Sequence, residues 1–134
     1  MKGFLIDTCV ISELAKKNPS SSITSWFGNT ADDLYLSVIT VEEFLTGLHT
    51  LGSERKLEFF SDLMSDEYEV LPVTVKTAEV SAKLRSSARR QGITMSIADA
   101  LIAAAALERD LTLVTRNVKD FKTCGVTILD PFSL

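Results

Sequence analysis

Five short apolar runs punctuate this chain, at residues 4–7, 34–39, 69–73, 111–115 and 126–129, and the stretches between them carry helical periodicity. An unbroken apolar run of this length suits a strand covered on both faces, and strands that alternate with helices predict parallel βα units. The first run is the plainest. Phe4, Leu5 and Ile6 lead straight into Asp7, followed by Thr8, Cys9 and a helix-like segment over 10–14. Asp7 therefore falls at the carboxyl end of a buried strand, the edge at which open α/β sheets bind ligands. A carboxylate there either caps the following helix or serves a site. Residue 7 alone does not choose between the two.

Helical patterns cover 40–51 and 53–66 with Gly52 at the break, and a long amphipathic stretch over 74–91 ends at Gly92. Leu57, Phe60 and Leu63 or Met64 share one face of the second. Pro19 and the serines after it read as a loop, from which Ser22 is placed to cap a short helix through Trp26 and Phe27. Residues 96–109 are apolar nearly all round, which predicts a central, buried helix. No repeat, linker or low-complexity tract interrupts this order, so one domain spanning 1–134 is expected.

A hydrophobic fraction of 46% and a charged fraction of 24% are those of a soluble globular protein. No apolar run approaches the roughly 20 residues of a membrane span, and the few apolar residues before Asp7 make no secretory signal. Cys9 and Cys124 are too few for a disulfide framework, which points to a reducing cytoplasm. The net charge of −4 excludes a general nucleic-acid coat but not an RNA substrate, because acids gathered round a cation would themselves push the sum negative.

Further acids stand in matching places. Thr40-Val41-Glu42-Glu43 and Ser96-Ile97-Ala98-Asp99 each put an acid three residues after a hydroxyl that can open a helix, the pattern of a capping box. Such a cap contributes about 1 kcal/mol and by itself accounts for Glu43. Asp99 asks for more. It opens a helix whose surface is otherwise apolar, with no Lys or Arg within a turn, and a charge in that setting is costly unless paired or bound to a cation. The last group, Thr115-Arg116-Asn117-Val118-Lys119-Asp120-Phe121, follows another buried strand. Thr115, Asn117 and Asp120 can turn back toward its carboxyl edge, although such residues are also common in turns. Parallel topology brings these strand ends together. Two carboxylates about 5 Å apart repel by roughly 3 kcal/mol at an effective dielectric near 20. Several gathered at one edge therefore call for a hard, oxygen-liganded ion, Mg2+ or Mn2+. Zinc is not expected from one histidine, His49 within a predicted helix, and two scattered cysteines.

The stretches IDTCVISEL, LSVITVEEFLTG, SIADALIAAAAL and LTLVTRNVKDF resemble, in order and at family-like spacing, the successive motifs of PIN-domain nucleases, above all the VapC-like toxins of type II toxin–antitoxin systems. The resemblance covers nearly the whole chain. It implies a three-layer α/β/α sandwich on a mostly parallel sheet and a Mg2+-dependent endoribonuclease. On the family pattern the catalytic acids fall on Asp7, Glu43, Asp99 and Asp120, with Asp7 and Asp99 as metal ligands and Thr8, Thr115 and Asn117 in support. Glu43, not Glu42, matches the family position. A small antitoxin partner and a homodimer are implied as well. Two positions depart from the pattern. The family often has Asn where this chain has Cys9, which bears on hydrogen bonding round the ligands. Some relatives carry an acid where this chain has Asn117, which leaves the fourth role open between Asp120 and Asn117.

In this reading a cation held by Asp7 and Asp99 lowers the pKa of a bound water and polarises the scissile phosphate. Glu43 orients or deprotonates that water or completes a second metal position, Asp120 and Asn117 hold outer water, and Thr8 or Thr115 meets a phosphate oxygen. RNA must reach these acids, so cations should rim them. Lys76, Lys83 and Arg90 recur at seven-residue intervals along one face of the 74–91 helix, Arg85 and Arg89 lie a turn apart nearby, and Arg116 adjoins the last motif. Arg116, Arg85 and Arg89 are the substrate-binding candidates, against the plainer reading of a solvated helix face. For the dimer, Phe44, Leu48, Leu51, Leu57 and Phe60 offer either a contact face or ordinary core.

Rival readings want residues this chain lacks. A metal-dependent phosphatase wants an acid two residues after its nucleophilic Asp, where Cys9 stands. A receiver-type signalling domain wants an acceptor Asp ending a mid-chain strand and a lysine after a late one, where Thr115-Arg116-Asn117 stands. A degenerate PIN binding module without nuclease activity would be expected to have lost motif acids that are all present here.

Overall fold

The first strand, β1 (Phe4–Ile6), is the middle of a five-stranded sheet in this computed structural model, which describes residues 3–30, 33–65 and 68–134. After it come α1 (Thr8–Leu14), α2 (Ser21–Asn29), β2 (Leu34–Ser37), α3 (Val38–Leu51), α4 (Glu54–Ser65) and β3 (Glu69–Leu71). The second half runs through α5 (Val75–Arg90), α6 (Ile97–Arg109), β4 (Thr112–Val114), α7 (Val118–Phe121), β5 (Ile128–Leu129) and a closing 3-10 turn, Pro131–Ser133. Every strand pairing is parallel and the order is β3-β2-β1-β4-β5. The chain thus winds outward from β1 to β3, then crosses back to lay β4 against the other side of β1. That reversal makes the carboxyl ends of β1 and β4, in register at Ile6 and Val114, the switch point where doubly wound sheets open a crevice.

The pleat explains the two cores. Leu5 and Leu113 face one layer, built on α5, α6 and α7 with Ala100, Ile102, Ala103, Ala106 and Phe121. Ile6, Leu36 and Val114 face the other, with Val10 and Ile11 of α1, Ile23 of α2, Phe44 and Leu48 of α3, and Phe60 and Leu63 of α4. This is the expected three-layer sandwich, with the alanine-rich α6 as its buried helix.

β1 and β2 are shorter than their apolar runs because the next helix begins before the run ends. Asp7 caps α1, and Ser37 caps α3, its hydroxyl accepting from the Ile39 amide at 3.0 Å. The Thr40–Glu43 capping box is therefore corrected: α3 starts before Thr40, which lies buried in its first turn with no hydrogen-bond partner for its hydroxyl. The Ser22 cap is corrected likewise, since α2 begins at Ser21 and the Ser22 hydroxyl donates instead to the Pro131 carbonyl at 2.9 Å. Ser96 does cap α6, its hydroxyl accepting from the Asp99 amide at 3.1 Å. Residue 66, at the end of the predicted 53–66 helix, lies outside the described residues. Of the apolar face offered for a dimer, Phe44, Leu48 and Phe60 are buried within the chain and Leu57 packs against them, which leaves only Leu51 largely exposed. Core packing takes that face.

Candidate active site

Asp7 sits where β1 becomes α1. Its amide still pairs with the sheet, donating to the Val114 carbonyl at 2.9 Å, while its side chain opens the helix. Oδ1 accepts from the Thr8 amide at 2.8 Å, and Oδ2 accepts from the Thr115 hydroxyl at 2.7 Å. The Asn117 amide donates to that same hydroxyl at 3.0 Å, so the Thr115 proton is turned toward Asp7. Cys9 closes the back of the pocket. Its Sγ lies 3.7 Å from Asp7 Oδ2 and 3.5 Å from Thr115 Oγ1, and accepts from the Arg116 amide at 3.5 Å. Asp7 is only 4% exposed. Burial raises its carboxyl pKa, against the pull of its three hydrogen-bond donors, and the charge of Asp120 adds to the rise. Cap and buried site acid are one residue.

Glu43 lies in the second turn of α3 and is held from across the crevice by the Thr8 hydroxyl, which donates to Oε1 at 2.7 Å. On its other side it borders a recess of about 100 Å3 that Ser12, Phe44, Leu48 and Lys56 also line. Asp99 is the third residue of α6 and half-buried. Its pKa is raised first by loss of solvent, then by the charges of Asp7 and Asp120, with a smaller push from Glu43 and a hydrogen bond from Ser96 in opposition. Asp120, on the short α7, shares with Asp99 a recess of about 90 Å3 lined also by Thr94, Lys119 and Thr123. Asp7, Glu43 and Asp120 thus all lie within electrostatic reach of Asp99. Asn117 precedes α7 without a side-chain capping bond and serves the site through its amide, so it is the charge of Asp120 that bears on Asp7 and Asp99.

Among the described residues, no three His, Cys, Asp or Glu side chains form a group close enough to hold an ion by themselves. The donors that the motif acids offer are hard oxygens, and a hard divalent cation would relieve the repulsion among these acids. The donor chemistry fits a divalent cation.

The cations divide by position. Arg116 has its amide tied to Cys9, while its guanidinium stacks 3.5 Å from the centroid of the Phe132 ring and draws down the pKa of Glu13. Arg85 donates from Nε to the Met95 carbonyl at 3.1 Å and lines a recess of about 70 Å3 with Arg89. Lys76, Lys83 and Arg90 are exposed and line neither this recess nor the acidic one. Three participants escaped the sequence reading. Lys119 stands beside Asp99 in space though twenty positions away. Glu13, buried on α1, binds Lys16 and the Ser20 amide, at 2.9 and 3.0 Å. Phe132 had no signal at all, because only the fold brings the carboxyl-terminal turn under Arg116.

Residues 4–124 match the family model described as the PIN domain. The chain is 30% identical to Toxin FitB of Neisseria gonorrhoeae, over 96% of this chain and 97% of that protein. It is also 30% identical to VapC ribonuclease Y4jK of Sinorhizobium fredii, over 96% of each. Its fold superimposes on a chain from the crystal structure of FitAcB from Neisseria gonorrhoeae with a TM-score of 0.86 at 30% identity, covering 98% of this chain and 99% of that one. The phosphatase and receiver readings fall away. With a family model that spans every motif acid, and relatives matched nearly from end to end, the chain belongs to the PIN-domain family, among its VapC-type ribonucleases.

Proposed function

We propose that the crevice at the β1/β4 switch point hydrolyses RNA phosphodiester bonds, with Asp7 and Asp99 holding Mg2+, or Mn2+ in its place. The observation that carries this reading is the convergence of Asp7, Glu43, Asp99 and Asp120 on one sheet edge, where each acid's charge bears on Asp99. When bound, the ion supplies Lewis acidity, polarising the scissile phosphate and making water a stronger acid. The chain's own groups do the rest. The Thr8 hydroxyl holds Glu43 Oε1, which leaves Oε2 to orient the attacking water and take its proton. The water oxygen bonds to phosphorus, the bond to the leaving ribose oxygen breaks, and that oxygen takes a proton from solvent. Thr115 and the Thr8 amide fix Asp7, and Asp120 orders water beside Asp99, with Asn117 acting through Thr115.

The same reading makes the chain the toxin of a type II module, acting in the cytoplasm as a homodimer and restrained by a small antitoxin protein; the similarity to Toxin FitB supports it. The described helices are none of them long and apolar enough to cross a membrane. The test is metal-stripped protein incubated with RNA before and after Mg2+ or Mn2+ is restored. Cleavage should appear only on restoration and be absent in Asp99→Asn. Metal-independent cutting, or an Asp99→Asn variant that cuts at the wild-type rate, would refute the proposal.

A further inference from the structure

The loop between α5 and α6 is a common wall between two recesses. Ile93, Thr94 and Met95 line both: one opens on Asp99, Lys119 and Asp120, the other on Arg85 and Arg89. This wall is tethered at each side. Arg85 Nε donates to the Met95 carbonyl at 3.1 Å, the Ile93 amide returns to the Ala88 carbonyl at 2.9 Å, and the buried Met95 Sδ meets Cys124 Sγ at 3.7 Å. Ile93 and Thr94 are left exposed along the crest. A ridge held in place therefore separates an acidic recess from a basic one, with Lys119 on the acidic side. A polyanion cut among carboxylates needs cations a short step away, and single strands are bound in grooves that track the backbone with positive charge.

We infer that the α5–α6 loop is a saddle for single-stranded RNA: the strand cut at the crevice of Asp7 and Asp99 runs out past Asp99 through the recess beside Lys119, and a neighbouring phosphodiester lies on Arg85 and Arg89. The inference rests on the nuclease reading and adds to it a direction for the strand. It also separates the α5 cations, since Lys76, Lys83 and Arg90 are exposed on the same helix but line neither recess.

The experiment is steady-state cleavage, with Mg2+, of single-stranded oligoribonucleotides trimmed stepwise from either end about one cut site. On the longest substrate, Arg89→Ala should raise KM roughly five- to tenfold with kcat within about twofold, and should flatten the plot of log(kcat/KM) against log salt by about 0.7. Lys83→Ala should change neither. Trimming one end past the second phosphate should raise the wild-type KM at least to that of Arg89→Ala on the longest substrate and erase the difference between the two proteins. Arg85→Ala should behave in the same way; should it fail to fold, the exposed Arg89 decides alone. Wild-type KM and salt slope in Arg89→Ala would overturn the saddle, as would an equal loss on long and trimmed substrates. Those failures leave wild-type cleavage intact, whereas a wild type that cuts no RNA with Mg2+ removes the nuclease reading and the saddle together.

Discussion

Asp7 and Asp99 stand at the same sheet edge, each at the start of a helix, yet they are held in different ways. Asp7 is itself the cap of α1 and both its oxygens are engaged, by the Thr8 amide and the Thr115 hydroxyl. Asp99 sits one turn into α6, where Ser96 does the capping, and it is half-buried beside an open recess. A carboxylate oxygen has lone pairs to spare after one hydrogen bond, so Asp7 can meet a cation without giving up its partners. On the proposed reading Asp7 is the fixed ligand and Asp99 the less constrained one. One consequence is that the fold should lean on Asp7 and not on Asp99, although the proposed chemistry leans on both.

The largest expected effect treats the two alike. Asp7→Asn and Asp99→Asn should each lower metal-dependent cleavage by about a thousandfold or more, since a bound ion contributes several kcal/mol to transition-state stabilisation. Alanine separates them. Asp7→Ala removes a cap worth about 1 kcal/mol and strands the buried Thr115 hydroxyl at a cost of about 1–3 kcal/mol, partly offset by relief of a buried charge. Asp99→Ala leaves the Ser96 cap in place and removes a carboxylate crowded by other acids, so at neutral pH it should be no less stable to urea than the wild type. Equal losses in the two alanine variants would break the comparison.

The next effect is read against pH in metal-free protein. Burial, reinforced by neighbouring acids, raises the pKa of Asp7 and of Asp99. A group raised in the folded state contributes stability that is present below its unfolded pKa, about 3.9 for Asp, and is lost as pH rises through the folded value. At neutral pH, Asp99→Asn should therefore be more stable than the wild type, and the gap should close as pH falls toward about 4. Glu13 runs the other way. Lys16 and the Ser20 amide lower its pKa, so its contribution is lost as pH falls through the folded value, but it is common to both proteins and cancels in the difference. Magnesium at about a hundred times its Kd should stabilise the wild type by about 2.7 kcal/mol and leave Asp99→Asn unmoved. A gap independent of pH would sink the account of the raised carboxyls.

Much of this was legible in the chain before the fold was known, and for a physical reason. Parallel βα units repeat one local rule, an apolar run ending in a polar residue at a helix start, so β1, β2 and β4 declare both themselves and the edge that holds Asp7, Glu43 and Asp99. Boundaries were less legible, because Ser37 and Asp7 read equally well as strand ends and as caps. Long-range pairings were not legible at all. Nothing near Thr8 announces that its hydroxyl will reach Glu43, and nothing near Phe132 announces Arg116. Seven-residue spacing likewise shows only that Lys76, Lys83 and Arg90 share a face of α5; that Arg85 and Arg89 share a recess with the turn into α6 needed the fold.

The smallest effects concern the two side chains that meet Asp7 Oδ2, and they sharpen what fixing this carboxylate requires. Thr115 approaches at 2.7 Å with its proton directed by the Asn117 amide, whereas Cys9 lies at 3.7 Å and offers a weak S–H donor. Thr115→Val keeps the shape but removes the hydrogen bond to a buried charge, which should cost about 1.5–3 kcal/mol in stability. It should also raise the metal concentration needed for half-maximal cleavage. Cys9→Ala should cost less than about 1 kcal/mol, the scale of a small half-buried group with long, weak sulfur contacts, and leave that metal concentration within about twofold. Cys9→Asn should do no worse, because an amide can donate to the same carboxylate oxygen and accept from the Arg116 amide in place of sulfur. If Cys9→Ala instead weakened the metal response as much as Thr115→Val, the thiol rather than the hydroxyl would be what holds Asp7 in place, and the departure at position 9 would mark a different way of building the same pocket.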